Sequence, residues 1–561
     1  MHKHGTASPP DHRETPANVQ ECVRLNSVRL ERRTPSPSFS QMEIAGMSLR
    51  IGVDVGGTNT DAVLMDDRVV LVKLKTPTTE DVTSGITTAI RSVLAQSGTA
   101  TDAIASVMIG TTHFTNAIVE RKHLSPVAAI RLGLPATAAL PPMVDWPQDL
   151  VDSLEHAVYL AHGGHEFDGR IISPFDEAEI RGIAEEIAGK GITAVAISSV
   201  FSPVNAEMED KAAAIVTEAI PGVTITKSNE IGRIGLLERE NAAILNSSLR
   251  ALADRTVAAF EQAITDLGIT APLYLTQNDG TLMAADFART YPVLTIASGP
   301  TNSMRGAAFL SGLTDAIVVD IGGTTSDVGM LTHGFPREAS VAVEVGGVRT
   351  NFRMPDVYSV GLGGGSLVDL DAMTVGPKSV GYRLTEQALI FGGDVLTTSD
   401  IAVASGIVEM GDPAKVAGLD AGKVAAALET IQAIVAAAVD RMKTSAEPVP
   451  VIIVGGGSVL VSKPVEGASE MVKPLHFEAA NAVGAAIAQI SGEVDRVYAL
   501  EGMTRDAAVD AAKAEASERA VAAGADPATI QIVDVEDVPL AYLPGNATRI
   551  RVKAVGDLAL A

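Results

Sequence analysis

The stretch IGVDVGGTNTDAV at residues 51–63 decides the fold, because a second copy, IVVDIGGTTSDVG, stands at residues 317–329. Seven of the 13 aligned positions are identical, and they include the Asp, both Gly and the Thr of an Asp-apolar-Gly-Gly-Thr core. Each copy begins with β-branched residues typical of a strand and continues into a Gly-Gly pair that permits a tight turn. The repeat therefore predicts two related units in one chain.

Each copy is predicted to be a hairpin followed by a third antiparallel strand. The second and third strands are AVLMD and VVLVKLKT in the first copy, and DVGML and SVAVEV, residues 340–345, in the second. A hairpin tip made of small residues exposes backbone amides that can surround an anion such as phosphate. The tip differs from a Walker A loop, which requires a lysine and a following helix.

A third glycine-rich strand end lies at VIIVGGGSVL, residues 451–460, after a long alanine-rich segment. In that segment Val424, Leu428 and Ile431 recur with helical period. We expect a buried parallel strand here, since a run of apolar residues precedes the glycines. The segment ANAVGAAIA at residues 480–488 predicts a helix with close packing, because its side chains are small.

Composition indicates a globular protein. The chain has 561 residues, so two to four domains are expected, and 46% apolar with 20% charged residues can supply large cores. No run of 18 uninterrupted apolar residues is present, and we expect no membrane span. The net charge of −25 argues against a nucleic-acid partner, which needs a basic face. One cysteine, Cys22, excludes an internal disulfide and a cysteine metal cluster, and a cytoplasmic location fits it.

Residues 1–46 differ from the rest of the chain, since they are rich in Pro, Ser, Thr, Arg and His without a hydrophobic period. They lack the apolar segment of a secretory signal. Two interpretations remain open, a disordered tail or a mis-assigned start, with Met47 as a natural start. In either case the segment 1–48 is expected to lie outside the folded domains.

The hairpins, the later glycine-rich strand and the small-residue helix resemble the actin, hexokinase and sugar-kinase superfamily. Further segments resemble the hydantoinase/oxoprolinase family, in the family's order and over residues 49–490. These segments are IGTTHFTNAIVERK (109–122), GGHEFDGR (163–170), VAISSVFSPVNAEME (195–209), GLLERENAAILNSSL (235–249), SGPTNSMRGA (298–307), GLGGGSL (361–367), VGPKSVGY (375–382) and TTSDIAVASG (397–406).

The resemblance implies an α/β fold in which duplicated actin/hexokinase-like (ribonuclease H-like) domains close on ATP and Mg²⁺. The expected domains are residues 49–235, residues 236–490 and a small C-terminal α+β unit at 491–561. It also implies the first, hydantoinase A-type subunit of an ATP-dependent hydrolase acting on a cyclic amide such as a hydantoin or 5-oxoproline. A second subunit and an oligomer are expected. The alternatives are an acetone-carboxylase-like carboxylase subunit, a small-molecule kinase and a reactivating ATPase.

The resemblance also assigns site residues. Asp54 and Asp320 match the acidic residues that hold Mg²⁺, and they are the main catalytic candidates. The assigned phosphate and adenosine contacts are Gly56, Gly57, Thr58, Asn59, Gly322, Gly323, Thr324, Thr325, Gly455, Gly456 and Gly457.

The remaining polar residues have two interpretations each. His113 and Asn116 are substrate-side catalytic candidates, or else belong to a capped surface helix. Asp61 and Asp327 are expected to brace the hairpins through Asx-type hydrogen bonds. The segment 165–168 is a metal set or a polar turn, and the segment 238–241 is a charged network or a solvated helix face.

Overall fold

The computed structural model describes residues 21–22, 31–32, 48–57, 59–78, 82–340, 342–540 and 546–559. Within the predicted N-terminal tail the structure describes residues 21–22 and 31–32, which pair as two short strands, and residue 48. The expectation for the rest of the tail concerns residues that are not described, and so does the assignment of Thr58. The strands are β1 (Glu21–Cys22), β2 (Glu31–Arg32), β3 (Leu49–Val55), β4 (Asn59–Asp66), β5 (Val69–Pro77), β6 (Ile104–Thr111), β7 (Val127–Leu134), β8 (His156–His162), β9 (Ala194–Ser199), β10 (Thr224–Lys227), β11 (Leu273–Thr276), β12 (Thr281–Ala284), β13 (Ala316–Ile321), β14 (Ser326–Thr332), β15 (Phe335–Pro336), β16 (Val343–Val345), β17 (Val348–Thr350), β18 (Val357–Val360), β19 (Ser366–Asp369), β20 (Thr374–Ser379), β21 (Val449–Val454), β22 (Ala468–Val472), β23 (Gln489–Tyr498), β24 (Gln531–Pro539) and β25 (Thr548–Gly556). The helices are α1 (Val82–Ser97), α2 (His113–Val119), α3 (Gln148–Ser153), α4 (Glu177–Gly189), α5 (Glu207–Ala219), α6 (Leu236–Asp266), α7 (Ala285–Thr290), α8 (Ser298–Ser311), α9 (Leu384–Gln387), α10 (Thr398–Ala404), α11 (Ala421–Met442), α12 (Ala480–Ala486) and α13 (Arg505–Ala522).

The first repeat folds as predicted, with β3 and β4 as a hairpin and β5 as its third strand. These strands form one edge of a nine-stranded sheet with the order β24-β25-β23-β12-β11-β6-β3-β4-β5. Helices α1 and α6 cover one face of it, where Val53, Ile90 and Phe260 share a buried core. The fold is α/β, as expected.

The C-terminal strands correct one expectation. They do not form a separate unit at 491–561, because β23 and β25 pair within the nine-stranded sheet. Strand β23 runs across residue 491, and its first two residues, Gln489 and Ile490, pair with β12. The physical reason is a shared core, in which Met108 and Leu282 pack with Val494 and Ile550. The expected boundary at 491 therefore falls inside β23, and strands from either side of the expected boundary at 236, β6 and β11, pair in the same sheet.

A smaller sheet is inserted between α2 and α6. It has four parallel strands in the order β10-β9-β7-β8. Helices α4 and α5 cover it, and Ile130, Ile180, Ile197 and Val216 make its own core. This unit contains the segments 163–170 and 195–209 that the sequence singled out.

The second repeat forms the hairpin β13–β14, and β21 runs parallel to β13 as predicted. Its third strand is a correction. Strand β18 pairs with β14, whereas β16, which covers residues 343–345 of the predicted segment 340–345, pairs with β17 instead. The reason is a two-residue turn at Gly346 and Gly347, both with positive φ, which folds β16 back onto β17.

Helix α11 covers the sheet that contains β13, β14 and β21, and it does so with the face predicted from the helical period of its apolar residues. By length and hydropathy α11 qualifies as a membrane span. However, Val424, Ile431 and Val435 are buried in the second core, while Leu428 is partly buried against it. The periodic face of α11 therefore packs on a protein core.

Helices α8 and α12 cross between the two repeats at very short distance. A Cβ atom at Gly306 would lie 1.8 Å from the carbonyl oxygen of Ala480, and one at Gly484 would lie 1.8 Å from that of Asn302. Only glycine permits this approach. The crossing brings polar residues of both helices between the two hairpin tips.

Candidate functional site

The two hairpin tips have the same geometry and face one cleft of about 660 Å³. The Gly56 amide donates to the Asn59 carbonyl at 3.0 Å, and the Gly322 amide donates to the Thr325 carbonyl at 2.9 Å. The repeat in the sequence is therefore also a repeat in backbone structure. The described residues that were predicted to bind phosphate or adenosine all line this cleft, namely Gly56, Gly57, Asn59, Gly322, Gly323, Thr324, Thr325, Gly455, Gly456 and Gly457.

Each repeat places a row of polar side chains across its strands. In the first repeat Asp54 lies opposite Asp61, and Asp61 lies opposite Lys75. In the second repeat Asp320 lies opposite Asp327, which lies opposite Ser359.

The expected Asx-type bonds are not the contacts of the two middle carboxylates. Asp61 accepts from Lys75 Nζ at 2.7 Å, and Asp327 accepts from the Ser359 hydroxyl. Both residues lie inside a strand rather than in a turn. Their contacts are therefore made across the sheet.

Helices α8 and α12 hold the carboxylates in place. Asn302 donates to Asp54 Oδ1 at 3.0 Å, and its neighbour Ser303 lines the cleft together with Asp320. From α12, the Asn481 side-chain amide lies 3.0 Å from both Asp54 Oδ2 and Asp61 Oδ2. Side chains of both helices thus hold the carboxylates of the first repeat, and α8 also reaches the cleft beside the carboxylate of the second repeat.

The electrostatics favour a cation. Burial raises the pKa of Asp54 to about 6, against the opposing hydrogen bond from Asn302. Burial likewise raises the pKa of Asp320 to about 7, and the charges of Asp327 and Asp54 add to the shift. Two carboxylates that compete for protons near neutral pH are stabilised in their charged form by a positive ligand.

The three glycines after β21 have different roles. A Cβ atom at Gly455 would lie 2.1 Å from Asp320 Oδ1, and one at Gly457 would lie 2.6 Å from Ile321 Cγ2. These two glycines therefore allow the strand end to pack on the second hairpin. A Cβ atom at Gly456 would meet open space, as it would at Gly57.

The cleft has an apolar part beside Gly456. Its lining includes Tyr382, Leu384, Ala402, Val408, Met410, Val459 and Leu460. A flat nucleobase fits such a surface, and glycine turns fit a phosphate chain. The residues present thus match the chemical groups of a nucleotide.

Two segments that the sequence analysis singled out support the tip of the second hairpin. The amides of Gly364 and Gly365 donate to the carbonyls of Gly322 and Gly323, at 3.0 and 2.7 Å. Ser399 at the start of α10 donates to Gly364 at 2.7 Å. Residues 361–367 and 397–406 therefore support the tip.

The substrate-side candidates lie apart from the cleft lining. His113 begins α2 and packs edge-on to Phe114, and burial lowers its pKa. Asn116 is exposed on the same helix. The preceding residue, Thr112, does line the cleft. A catalytic role for His113 and Asn116 remains a prediction.

Two further polar segments are explained by their surroundings. His165 is buried beside Asn205, and Asp168 binds Arg170. Within the part of the chain that the structure describes, no group of three or more His, Cys, Asp or Glu could hold a metal ion. The polar-turn interpretation therefore fits this segment.

Lys75, Thr112, Asn302, Ser303 and Asn481 are site residues that the sequence analysis missed. Asn302 and Ser303 stand in the segment 298–307, and Asn481 stands in the small-residue helix. Both segments were noticed, but only the crossing of the two helices shows which side chains reach the carboxylates. Lys75 is visible once the register opposite Asp61 is known.

The comparisons with known proteins agree with this geometry. Residues 50–220 match the hydantoinase/oxoprolinase N-terminal region, and residues 239–485 match the hydantoinase/oxoprolinase domain. The chain belongs to the hydantoinase/oxoprolinase family. Together the two matched regions contain both hairpins and all three glycine-rich segments of the cleft.

Two curated relatives of this hydantoinase/oxoprolinase chain are named subunits. It is 29% identical to caprolactamase subunit alpha of Pseudomonas jessenii over 402 residues, which cover 64% of this chain and 55% of that protein. It is 25% identical to the acetophenone carboxylase gamma subunit of Aromatoleum aromaticum over 253 residues, which cover 43% of this chain and 34% of that protein. The matches thus span about half the length of these relatives or less.

Two solved structures share the fold of the hydantoinase/oxoprolinase chain. The ATP-dependent caprolactamase from Pseudomonas jessenii superposes with a TM-score of 0.73 at 18% identity, covering 90% of this chain and 87% of that chain. Nucleotide-free acetone carboxylase superposes with a TM-score of 0.65 at 18% identity, covering 92% and 88%.

Proposed function

We propose that this chain binds Mg-ATP in the cleft between its two repeats and hydrolyses a cyclic amide at the expense of ATP. One observation carries the proposal. Asp54 and Asp320, each at the end of one repeat hairpin, line the same cleft as both glycine turns. A phosphate chain between two such turns, with carboxylates on either side, is arranged for phosphoryl transfer.

Asp54 and Asp320 are the residues that would hold Mg²⁺. This ion keeps several waters and needs only one or two carboxylates besides phosphate oxygens. The charge of the cleft supports a cation, because five lining residues are carboxylic acids, namely Asp54, Asp61, Asp320, Asp327 and Glu478. A polyphosphate enters such a site only when positive charge accompanies it.

The reaction follows from the chemistry of amides. An amide carbon is a poor electrophile, and transfer of the γ-phosphoryl group to the amide oxygen makes that carbon open to attack by water. The ring C–N bond then breaks, and in the net reaction the cyclic amide, ATP and two waters give the ring-opened product, ADP and phosphate. The protein supplies positioning and charge stabilisation.

The substrate class and the partner rest on the relatives. The name of the Pseudomonas jessenii protein supports a lactam, and the family supports a hydantoin or 5-oxoproline. Since the relatives are named as subunits, we propose a second subunit and an oligomer for this chain as well. We also propose a cytoplasmic location, as the sequence suggests.

The test measures phosphate released from Mg-ATP in the presence of caprolactam, 5-oxoproline and a set of hydantoins, with and without a candidate second subunit. We expect release that depends on one ring compound and disappears in Asp320→Ala. Asp286→Ala is the matched control, because the Asp286 side chain is exposed and lies outside the cleft. The proposal fails if no ring compound stimulates release even with the partner present.

A carboxylase is the second candidate, since two similar proteins act in carboxylation by their names. The same assay distinguishes it when ketones and bicarbonate are added and the products are identified. Ring-opened product supports the amide hydrolase, whereas a carboxylated ketone supports the carboxylase. Phosphate found on a stable hydroxyl group would instead indicate a kinase.

A further inference from the structure

Lys75 is the only basic residue among the described residues that line the cleft. It stands on β5, and its side chain is 38% exposed. Its Nζ lies 2.7 Å from Asp61 Oδ2, and the Asn481 amide links Asp61 to Asp54. One cation and five carboxylates therefore line the cleft in which a phosphate chain would lie.

The two repeats differ at this position. The cross-strand row of the first repeat ends in Lys75, while that of the second repeat ends in Ser359. A lysine is not needed to brace a hairpin of this type, because the second hairpin keeps its geometry with a serine in that place. The fold alone therefore does not explain why a charged residue stands at position 75.

The position of Lys75 relates it to both repeats. Lys75 lines the same cleft as the glycine turns of both repeats, so its ammonium group can reach a ligand held between the two tips. Its four-carbon stem is flexible, so the group can change partner without movement of the strand.

We propose that Lys75 binds the phosphate chain of the nucleotide, and that Asp61 holds the ammonium group at the cleft until phosphate replaces the carboxylate as its partner. The inference rests on the nucleotide site of the proposed function and gives that site its only direct cationic contact from a described side chain. A charge-assisted hydrogen bond to phosphate is among the stronger polar contacts in proteins. It would act together with the metal, which neutralises the remaining charge.

The test is calorimetric titration of the full chain with ATP, ADP and AMP in magnesium buffer. Loss of a charged hydrogen bond predicts that Lys75→Met weakens ATP binding by about tenfold to a hundredfold, with a smaller loss for AMP. Lys75→Arg keeps the charge and is expected to retain most of the affinity. Lys73→Met is the matched control, since Lys73 lies on the same face of β5 and pairs with Glu478, but does not line the cleft.

A second variant addresses the role of Asp61. Asp61→Asn removes the partner that competes with phosphate, so ATP binding is expected to stay the same or become tighter. The double variant Asp61→Asn/Lys75→Met is expected to bind no better than Lys75→Met. Thermal melting without nucleotide checks that each variant is folded.

The outcomes separate the two proposals. Wild-type affinity for ATP in Lys75→Met overturns the role of Lys75 while the nucleotide site stands. An equal loss in Lys73→Met also overturns it, because long-range charge would then explain the effect. If the wild-type chain binds none of the three nucleotides, the nucleotide site itself fails and this inference fails with it.

Discussion

At the scale of single residues, the site depends on positions that have no room for a side chain. Gly110 on β6 lies opposite Asp54. A Cβ atom there would lie 2.2 Å from Asn302 Nδ2 and 2.5 Å from Asp54 Oδ1. Any larger residue must therefore displace the hydrogen bond that holds the carboxylate.

Gly110→Ala is expected to lower the free energy of unfolding by about 1–3 kcal/mol and to weaken Mg-ATP binding, because the added methyl group overpacks the site. Denaturant unfolding and calorimetry measure the two effects. Gly182→Ala in α4 is the control, since a Cβ atom there meets open space. It is expected to stabilise the chain by up to about 1 kcal/mol. Equal behaviour of the two variants would contradict the packing argument.

At the scale of elements, helix α6 carries buried charges toward the four-stranded sheet. Glu240 accepts from Arg131 Nε at 2.7 Å and from the Ser198 hydroxyl at 2.6 Å, and both ions are almost fully buried. Asn241 accepts from the Trp146 indole at 2.8 Å. The segment 238–241 had two interpretations, a charged network or a solvated helix face, and the charged network is the correct one.

Glu240→Gln is expected to destabilise the protein by about 3–5 kcal/mol, because it leaves Arg131 charged and buried without a carboxylate. Glu261→Gln on the same helix is the control. Glu261 pairs with Arg289 at 2.6 Å, but its side chain is 44% exposed, so a change below about 1 kcal/mol is expected. The midpoint of denaturant unfolding gives both values. A large effect in Glu261→Gln alone would contradict the assignment.

Strands and hairpins were predictable where the signal is local. The repeat at 51–63 and 317–329 gave both hairpins, and the apolar run before Gly455 gave the parallel strand. The prediction of the third strand of the second repeat was wrong, because the Gly346-Gly347 turn pairs β16 with β17. Asn302 and Asn481 were not assigned, since a hydrogen bond between distant helices leaves no pattern along the chain.

At the scale of the whole molecule, the C-terminal strands are tied to the first sheet by buried charges. Lys553 on β25 lies 2.9 Å from Asp279 Oδ2, and Arg353 Nη1 lies 3.1 Å from the same atom. Both Lys553 and Asp279 are nearly inaccessible. The sequence predicted a separate unit here because pairing between β12 and β23 joins segments about 200 residues apart, which no local pattern shows.

Asp279→Asn is expected to destabilise the protein at pH 7. Burial alone would raise the pKa of Asp279, but the charges of Lys553 and Arg353 outweigh it and hold that pKa well below its usual range. The stabilisation is therefore complete well above the unfolded pKa of about 4, and it is lost gradually as the pH falls from there toward the lower pKa of the folded state. Unfolding midpoints of wild type and variant, measured from pH 7 down to about pH 2, are expected to remain apart to about pH 4 and to approach each other below it. Divergence in acid would contradict the ion pairs.

The proposed function requires that the two repeats build one nucleotide site rather than two. Calorimetric titration of the wild-type chain with Mg-ATP, beside Asp54→Asn and Asp320→Asn, tests it most directly. We expect one ATP per chain, and we expect either substitution to remove the magnesium dependence of binding. Two ATP per chain, or a site that one of the two substitutions leaves intact, would contradict it.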